Sequence, residues 1–384
     1  MTVNLSTGEQ AYQPPGEEFD SIATRADDGP VWSPDGRWMA FVVESTLRVM
    51  PVDETGQATG PAEEITTEVT DAPSWSGDSE WLLYLNNGNL RMVRRDGSET
   101  RNVPVRLNYS PAQPAGRTVI HAGRFWDGTS PEVQENVDIV VVGNRIQRVT
   151  PHERPIRGPH VDASDLTVMP GLWDSHWHRF QARLFGDRMG RAALAYGLTS
   201  TLSNAEPVYR SIEEREAVRA GARVGPRVFA TGEGLDGSRQ YSPWMRAVTD
   251  VDQMSLELSR VRELDYDYLK QYVRTPADVL AVGAQMAHEL GIPTGTHLFS
   301  PGFFVGLDGT THLAATQRLG WASTESATTR TYDDVIEVYG AGKRSVETTV
   351  ASSRFLNPHD CADARSQLFP PWRDPGCDGP PARS

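Results

Sequence analysis

Cysteine is nearly absent: 384 residues contain two, Cys361 and Cys377, both in a Pro-rich C-terminal stretch. Disulfides therefore cannot frame this fold, although the two late thiols leave room for one bridge. No apolar run approaches the roughly 18 residues needed to cross a bilayer. With a mean hydropathy of −0.47, the sequence predicts no membrane span. Positive charge is also in deficit, with 37 Lys and Arg against 51 Asp and Glu, a net charge of −14. That balance argues against a nucleic-acid surface, which needs clustered cations. The opening MTVNLSTGEQ has neither a basic nor an apolar region of the kind a secretion signal uses, so none is expected there, and the compartment stays open. No GxSxG elbow occurs, which disfavours a serine peptidase. What remains is an acidic chain long enough for more than one domain.

The most regular feature is a repeat. GPVWSPDGRWMAFVVESTLRVMPVDETGQ, from residue 29, is echoed by APSWSGDSEWLLYLNNGNLRMVRRDGSE, from residue 72, and Trp32 falls on Trp75 with a period of 43. Four-stranded propeller blades repeat every 40–45 residues or about that. Asp35-Gly36, Asn87-Gly88 and Asp96-Gly97 suit hairpins because these pairs tolerate positive φ. Leu5 to Gly8 matches the closing hairpin at Thr55-Gly56, as if an earlier copy ended there. On the WSPDG stretch, residues 1–107 resemble the end of a TolB-type β-propeller; two unrelated hairpins are the alternative. Propellers close with roughly four to eight blades. The resemblance thus implies either a chain that starts inside a propeller or self-association in which copies complete one another.

After a linker near Pro111 to Gly116, residues 116–165 alternate with period two between turns, as a small β-sandwich-like domain does. The texture then changes. Apolar strands are predicted at 167–173, 198–203, 226–231, 267–273, 292–298, 309–314 and 346–351, separated by helical patterns at 182–195, 211–221, 252–264, 276–290 and 332–341. Strand alternating with helix reads as a parallel sheet. Seven strands over 166–356 approach the eight of a (β/α)8 TIM-type barrel, with the last one missing. Residues 357–384 read as an irregular Pro-rich tail. The fold class expected is therefore mixed: partial propeller blades, a small β-domain and an incomplete barrel. Two lesser features are read plainly: the run Glu213 to Glu216 as a solvated helix face, and Gly232 to Gly237 as the loop after the third strand, with a place facing substrate left open.

His176 and His178, in PGLWDSHWHRF, carry the chemistry. Side chains two apart on a strand share a face, so both imidazoles project together, as half of a metal site does; two surface histidines at a strand end are the plainer reading. Lys270 lies inside the apolar strand DYLKQYV, either for a reason of chemistry or paired with Asp267. His297 and His312 end their own strands, IPTGTHL and DGTTHL. Barrel enzymes build their sites at that end.

On PGLWDSHWH, Lys270, His297 and His312, residues from about 116 to 370 resemble the amidohydrolase superfamily. GRFWDG and VVVGNRIQRV resemble the small β-domain that precedes its barrel. The resemblance implies two divalent metal ions of zinc type, one on His176 and His178 and one on His297 and His312, with Lys270 carboxylated by CO2 and bridging them as a carbamate. It further implies a metal-bridging hydroxide that hydrolyses a C–N bond of a small-molecule amide, cyclic amide or dipeptide. The family also uses an aspartate at the eighth strand for proton transfer. No apolar strand with such an Asp follows Val350: Asp360, Asp363, Asp374 and Asp378 lie in irregular sequence, just after Pro358 for the first of them. A catalytically incomplete remnant that binds metal without turnover is therefore the second reading.

Overall fold

Each repeat opens on a serine that organises its own turn. Ser33 Oγ donates to Asp35 Oδ1 at 2.6 Å while accepting from the Trp38 N–H at 3.0 Å. Forty-three residues on, Ser76 Oγ donates to Asp78 Oδ1 at 2.5 Å and accepts from the Trp81 N–H at 2.9 Å. The computed structural model describes residues 2–14, 22, 28–108, 110–153, 155–178, 188–242, 244–312, 324–326 and 330–347. The tail at 357–384, with Cys361, Cys377 and the late aspartates Asp360, Asp363, Asp374 and Asp378, lies outside them, as do 182–187, 313–314 and 348–351 of the expected elements.

A short hairpin of β1 (Thr2–Val3) and β2 (Gln10–Ala11) comes first, its turn held by Asn4 Oδ1, which accepts from Ser6 and Thr7 N–H. The first repeat is an antiparallel meander of β3 (Val31–Trp32), β4 (Trp38–Val43), β5 (Thr46–Pro51) and β6 (Glu63–Glu64). The second repeats it with β7 (Asp71–Trp75), β8 (Trp81–Asn86), β9 (Asn89–Arg94) and β10 (Thr100–Val103). Both β4 to β8 and β5 to β9 keep the 43-residue offset. The two sheets share one core, in which Val42, Leu47 and Val49 meet Leu82, Tyr84 and Val93.

The third sheet holds β11 (Arg117–Phe125), β12 (Gln134–Val142) and β13 (Arg145–Pro151) antiparallel, with β14 (His160–Val168) parallel to β11. Here one expectation is corrected. The strand expected at 167–173 is divided: Thr167 and Val168 end β14, and a new strand, β15 (Leu172–Trp177), starts beyond Pro170-Gly171. Proline has no N–H for a ladder, so the break falls there.

Parallel strands then alternate with helices. β15 is followed by α1 (Arg188–Ala195), β16 (Leu198–Ser203), α2 (Val208–Arg219) and β17 (Arg227–Ala230), and the three strands pair in that order. After β18 (Gly234–Asp236), β19 (Met245–Ala247) and α3 (Val251–Glu263) come β20 (Leu269–Lys270), α4 (Ala277–Glu289), β21 (Thr294–Thr296), β22 (Gly309–Thr311), α5 (Asp333–Gly342) and β23 (Ser345–Glu347). Strands β20 to β23 pair parallel in sequence order. The Asp267 N–H reaches Ala230 O at 2.9 Å, which joins the two groups. Asp250 starts α3 by accepting from the Gln253 N–H at 2.8 Å. The fold is mixed and sheet-rich, and no helix among the described residues is long and apolar enough to cross a membrane.

The strand expected at 267–273 shrinks to two residues because the Tyr272 N–H leaves the ladder for Leu235 O at 2.6 Å. Gly232 to Gly237 follows β17 as expected, yet it is not all loop. Its Gly234–Asp236 stretch pairs with β19, and buried Asp236 accepts from the N–H groups of Tyr241 and Arg274 at 2.8 Å. The charged run on α2 is likewise only half solvated. Glu213 and Glu216 are exposed, whereas Arg215 is buried and donates to Leu264 O and Asp267 Oδ2. Asp267 is thereby occupied by Arg215, so it is not the partner of Lys270.

The two meanders do not stand apart from the parallel strands. Asp71, on β7, accepts from Arg246 Nη2 at 2.6 Å, from Tyr209 OH at 2.7 Å and from Arg260 Nη1. Arg260 also donates to Glu257 at 3.1 Å, and Arg246 lies 3.6 Å from Asp28 and 3.7 Å from Glu233. Four buried carboxyl groups thus face two buried guanidinium groups. Full ionisation would leave an excess of negative charge in a dry junction, which is expensive. Burial, with the charge of Asp71 beside it, raises Asp28 to about 7 against the pull of Arg246, and burial raises Glu233 as well.

A pH dependence follows. A carboxyl whose folded pKa is raised favours the fold below its unfolded value near 4 and loses that contribution as pH climbs through about 7. Asp28→Asn is expected to melt like the wild type at pH 5 and to melt higher at pH 8, by on the order of 2 kcal/mol of stability. Thermal unfolding at the two pH values checks this, and equal stability at pH 8 would contradict it.

Candidate active site

The parallel strands present their C-terminal ends together, and six of them contribute to one cluster. β15 carries His176, with His178 just past its end; Asn204 follows β16; Lys270 ends β20; His297 follows β21; Thr311 ends β22 with His312 next; Glu347 ends β23. Two-residue spacing brings the first pair together as the period of a strand requires: His176 Nε2 and His178 Nε2 are 2.9 Å apart. His312 lies 5.0 Å by ring centroid from both His176 and His297, and His176 lies 6.2 Å from His297. Tyr272 stacks edgewise on His297 at 4.4 Å.

Lys270 is 1% exposed and donates to Thr311 Oγ1. Thr311 Oγ1 in turn donates to Glu347 Oε2 at 3.0 Å, and the same carboxylate oxygen lies 2.8 Å from His176 Nδ1. Asn204 Nδ2 approaches it at 3.4 Å. The structure therefore brings together all five residues singled out in the sequence: His176, His178, Lys270, His297 and His312. It adds three that sequence reading passed over: Glu347, Thr311 and Asn204. Glu347 left one signal, a carboxylate in a short strand, the same kind of anomaly that drew attention to Lys270.

Burial and neighbouring charge favour the neutral form of three of the imidazoles, those of His178, His297 and His312. Burial, with the charges of His176 and Lys270 nearby, holds His178 down to about 4. Burial, His176 and Lys270 hold His312 at about 4 as well. His297 is pushed far below its ordinary range by burial, then by Lys270 and His312. Burial also lowers the Lys270 ammonium to about 8 against the opposing pull of Glu347. Glu347 ends below its usual value: burial raises it, but the His176 hydrogen bond and the Lys270 charge outweigh that.

Such a group of neutral imidazoles offers lone pairs. Buried His178 Nδ1 and His297 Nδ1 find no hydrogen-bond partner among the described residues. Unspent nitrogen donors beside a buried carboxylate are what a divalent cation of the zinc class would complete, so the residues present fit a metal. His312 sits at a φ of 63°, a left-handed conformation that a non-glycine residue seldom holds. Its N–H donates to Glu347 O at 2.8 Å, which fixes the ring over the cluster.

No family model matches the chain. Among curated proteins it is similar to an adenine deaminase of Ruegeria sp. (strain TM1040), 29% identical over 104 residues, which are 26% of this chain and 17% of that protein. The match thus spans well under two thirds of that relative. Among solved structures the chain is similar to a Xaa-Pro dipeptidase with methionine bound in its active site, with a TM-score of 0.52 at 17% identity over 66% of this chain and 71% of that one. It is similar to molinate hydrolase with a TM-score of 0.51 at 16% identity, over 65% and 67% of the two chains. A prolidase complexed with N-methylphosphonate-L-proline follows with 0.50 at 17%, over 60% and 65%. These structural relatives are amidohydrolase-superfamily members, and at such identities the likeness is one of fold.

Proposed function

We propose that this protein is a metal-dependent hydrolase of the amidohydrolase type, acting on the C–N bond of an amide, cyclic amide or dipeptide. One observation carries the reading: four buried or half-buried histidines and a buried lysine converge at the C-terminal ends of parallel strands, with His178, His297 and His312 held below their ordinary pKa. In this reading His176 and His178 would hold one zinc-type ion and His297 and His312 a second, and Lys270, as a carbamate, would be the ligand they share. Bound ions of this kind supply a hydroxide nucleophile near neutral pH and polarise a carbonyl.

The chain's own residues prepare the rest. A lysine lowered to about 8 is partly unprotonated near neutral pH, and only the free amine can add to CO2 and release a proton. Glu347 holds the His176 ring by its Nδ1 and so directs Nε2 toward His178. Tyr272 walls one side of His297 and helps keep water out. The dipeptidase and prolidase names of the structural neighbours favour dipeptides as the first substrates to try. The paired meanders, with their shared core and 43-residue offset, support the reading of residues 1–107 as TolB-type propeller blades, and the strands β15 to β17 and β20 to β23, parallel among the described residues, support a (β/α) barrel.

The test is hydrolysis. Full-length chain supplied with zinc and bicarbonate is expected to release amine from at least one member of a panel of dipeptides, N-acyl amino acids and cyclic amides. Lys270→Ala is expected to lower that rate at least ~100-fold, the scale on which loss of a metal-site residue is felt. A folded, metal-loaded protein that turns over nothing on the panel would overturn the hydrolase reading and leave a metal-binding scaffold.

A further inference from the structure

We propose that His121, Asp138 and His152 form a separate divalent-cation site of zinc type on the small β-sheet, apart from the histidine cluster of the parallel strands. The strands place these residues side by side. His121 on β11 is directly opposite Asp138 on β12, and Asp138 is opposite Thr150 on β13, so His152, two residues on, returns to the same face. Both imidazoles turn the same nitrogen inward: His121 Nδ1 and His152 Nδ1 each lie 3.0 Å from Asp138 Oδ1, and His152 Nδ1 is 3.1 Å from Oδ2. The rings approach to 4.3 Å between centroids.

Two arrangements suit such distances. In one, two N–H groups donate to a single carboxylate. In the other, two lone pairs and a carboxylate oxygen surround a cation; ligands bonded at about 2.0–2.1 Å in a tetrahedron stand ~3.3 Å apart, close to the separations seen. Two features favour the second. All three ligand atoms lie within 4.8 Å of one another, a span that a single cation can fill. The side chains are 17%, 15% and 28% exposed, sheltered enough to strengthen a charge interaction and open enough for water to take a fourth position. Two nitrogens and an oxygen, without thiolate, select zinc and its neighbours over calcium or magnesium. A cation there would tie β13 to β12 and β11 and stabilise the sheet.

The test uses the full chain with His176→Ala and His297→Ala, which disables the other cluster. Incubated with zinc chloride and gel-filtered, it is expected to retain about one zinc per chain and to melt higher with zinc than with a chelator. Adding Asp138→Asn is expected to abolish both effects. Should that variant fail to fold, His152→Ala, at the end of its strand, removes a ligand and leaves the strand pairing intact. Should the double variant itself fail, the same changes in the otherwise unaltered chain are read as the loss of one zinc from the total. Zinc content that is the same with and without Asp138→Asn or His152→Ala, or a folded parent that retains none, would overturn the site.

Discussion

Asp71→Asn is expected to cost the protein about 3–5 kcal/mol of stability, the scale for breaking a buried ion pair from one side. Asp71 is the carboxylate that Arg246, Arg260 and Tyr209 share, and burial of all three partners depends on it. Paired with the two guanidinium groups, its pKa stays at about 2 in spite of burial, so its contribution is fully present above an unfolded value near 4 and is lost as pH falls through about 2. An amide of the same size keeps the shape and removes the charge. Asp28 and Glu233 then ionise more readily, because the charge of Asp71 is one of the causes that raise them. The loss is therefore expected to be larger at pH 5 than at pH 8. Denaturant unfolding at the two pH values checks it, with exposed Asp53→Asn as the control. A cost under about 1 kcal/mol would mean that the meanders do not pack on α3 and β19 as described.

The second large effect concerns Glu347. Its Oε2 meets His176 Nδ1 at 2.8 Å and Thr311 Oγ1 at 3.0 Å, so it sets both the orientation of the ring and its basicity. Outer partners of this kind are worth roughly 10–100-fold in metal affinity. Glu347→Gln keeps the size but loses the anion, and the amide can accept from or donate to Nδ1, so it no longer enforces the Nδ1–H tautomer that leaves Nε2 free for a metal. Zinc affinity at the histidine cluster is expected to fall within that range, with unfolding unchanged. Competition with a chromophoric chelator measures it. An unaltered affinity would mean that Glu347 belongs to the scaffold alone.

Legibility differs between these features for physical reasons. His176 and His178 announce themselves because a strand's period of two makes adjacent imidazoles cooperate. Lys270 does so because an ammonium inside an apolar strand is anomalous. Glu347 is quieter, since its strand has three residues and no alternation to violate. Arg260 is quieter still: it lies among the charges of α3, and its burial depends on Asp71, 189 residues earlier, together with Glu257 on its own helix. The same limit hid His121 and His152, whose common partner Asp138 is reached across strands rather than along them. Turn chemistry was the most local signal and the most fully legible, since Ser33 and Ser76 make the same two hydrogen bonds in each repeat.

The histidines of the parallel strands are expected to bind metal, and the test is metal per chain by elemental analysis after zinc and bicarbonate are supplied, in the Asp138→Asn background so that the small sheet does not contribute. About two zinc ions per folded chain are expected, falling sharply with His176→Ala. A folded chain that retains no metal, or a His176→Ala chain that retains as much as its parent, would contradict the claim.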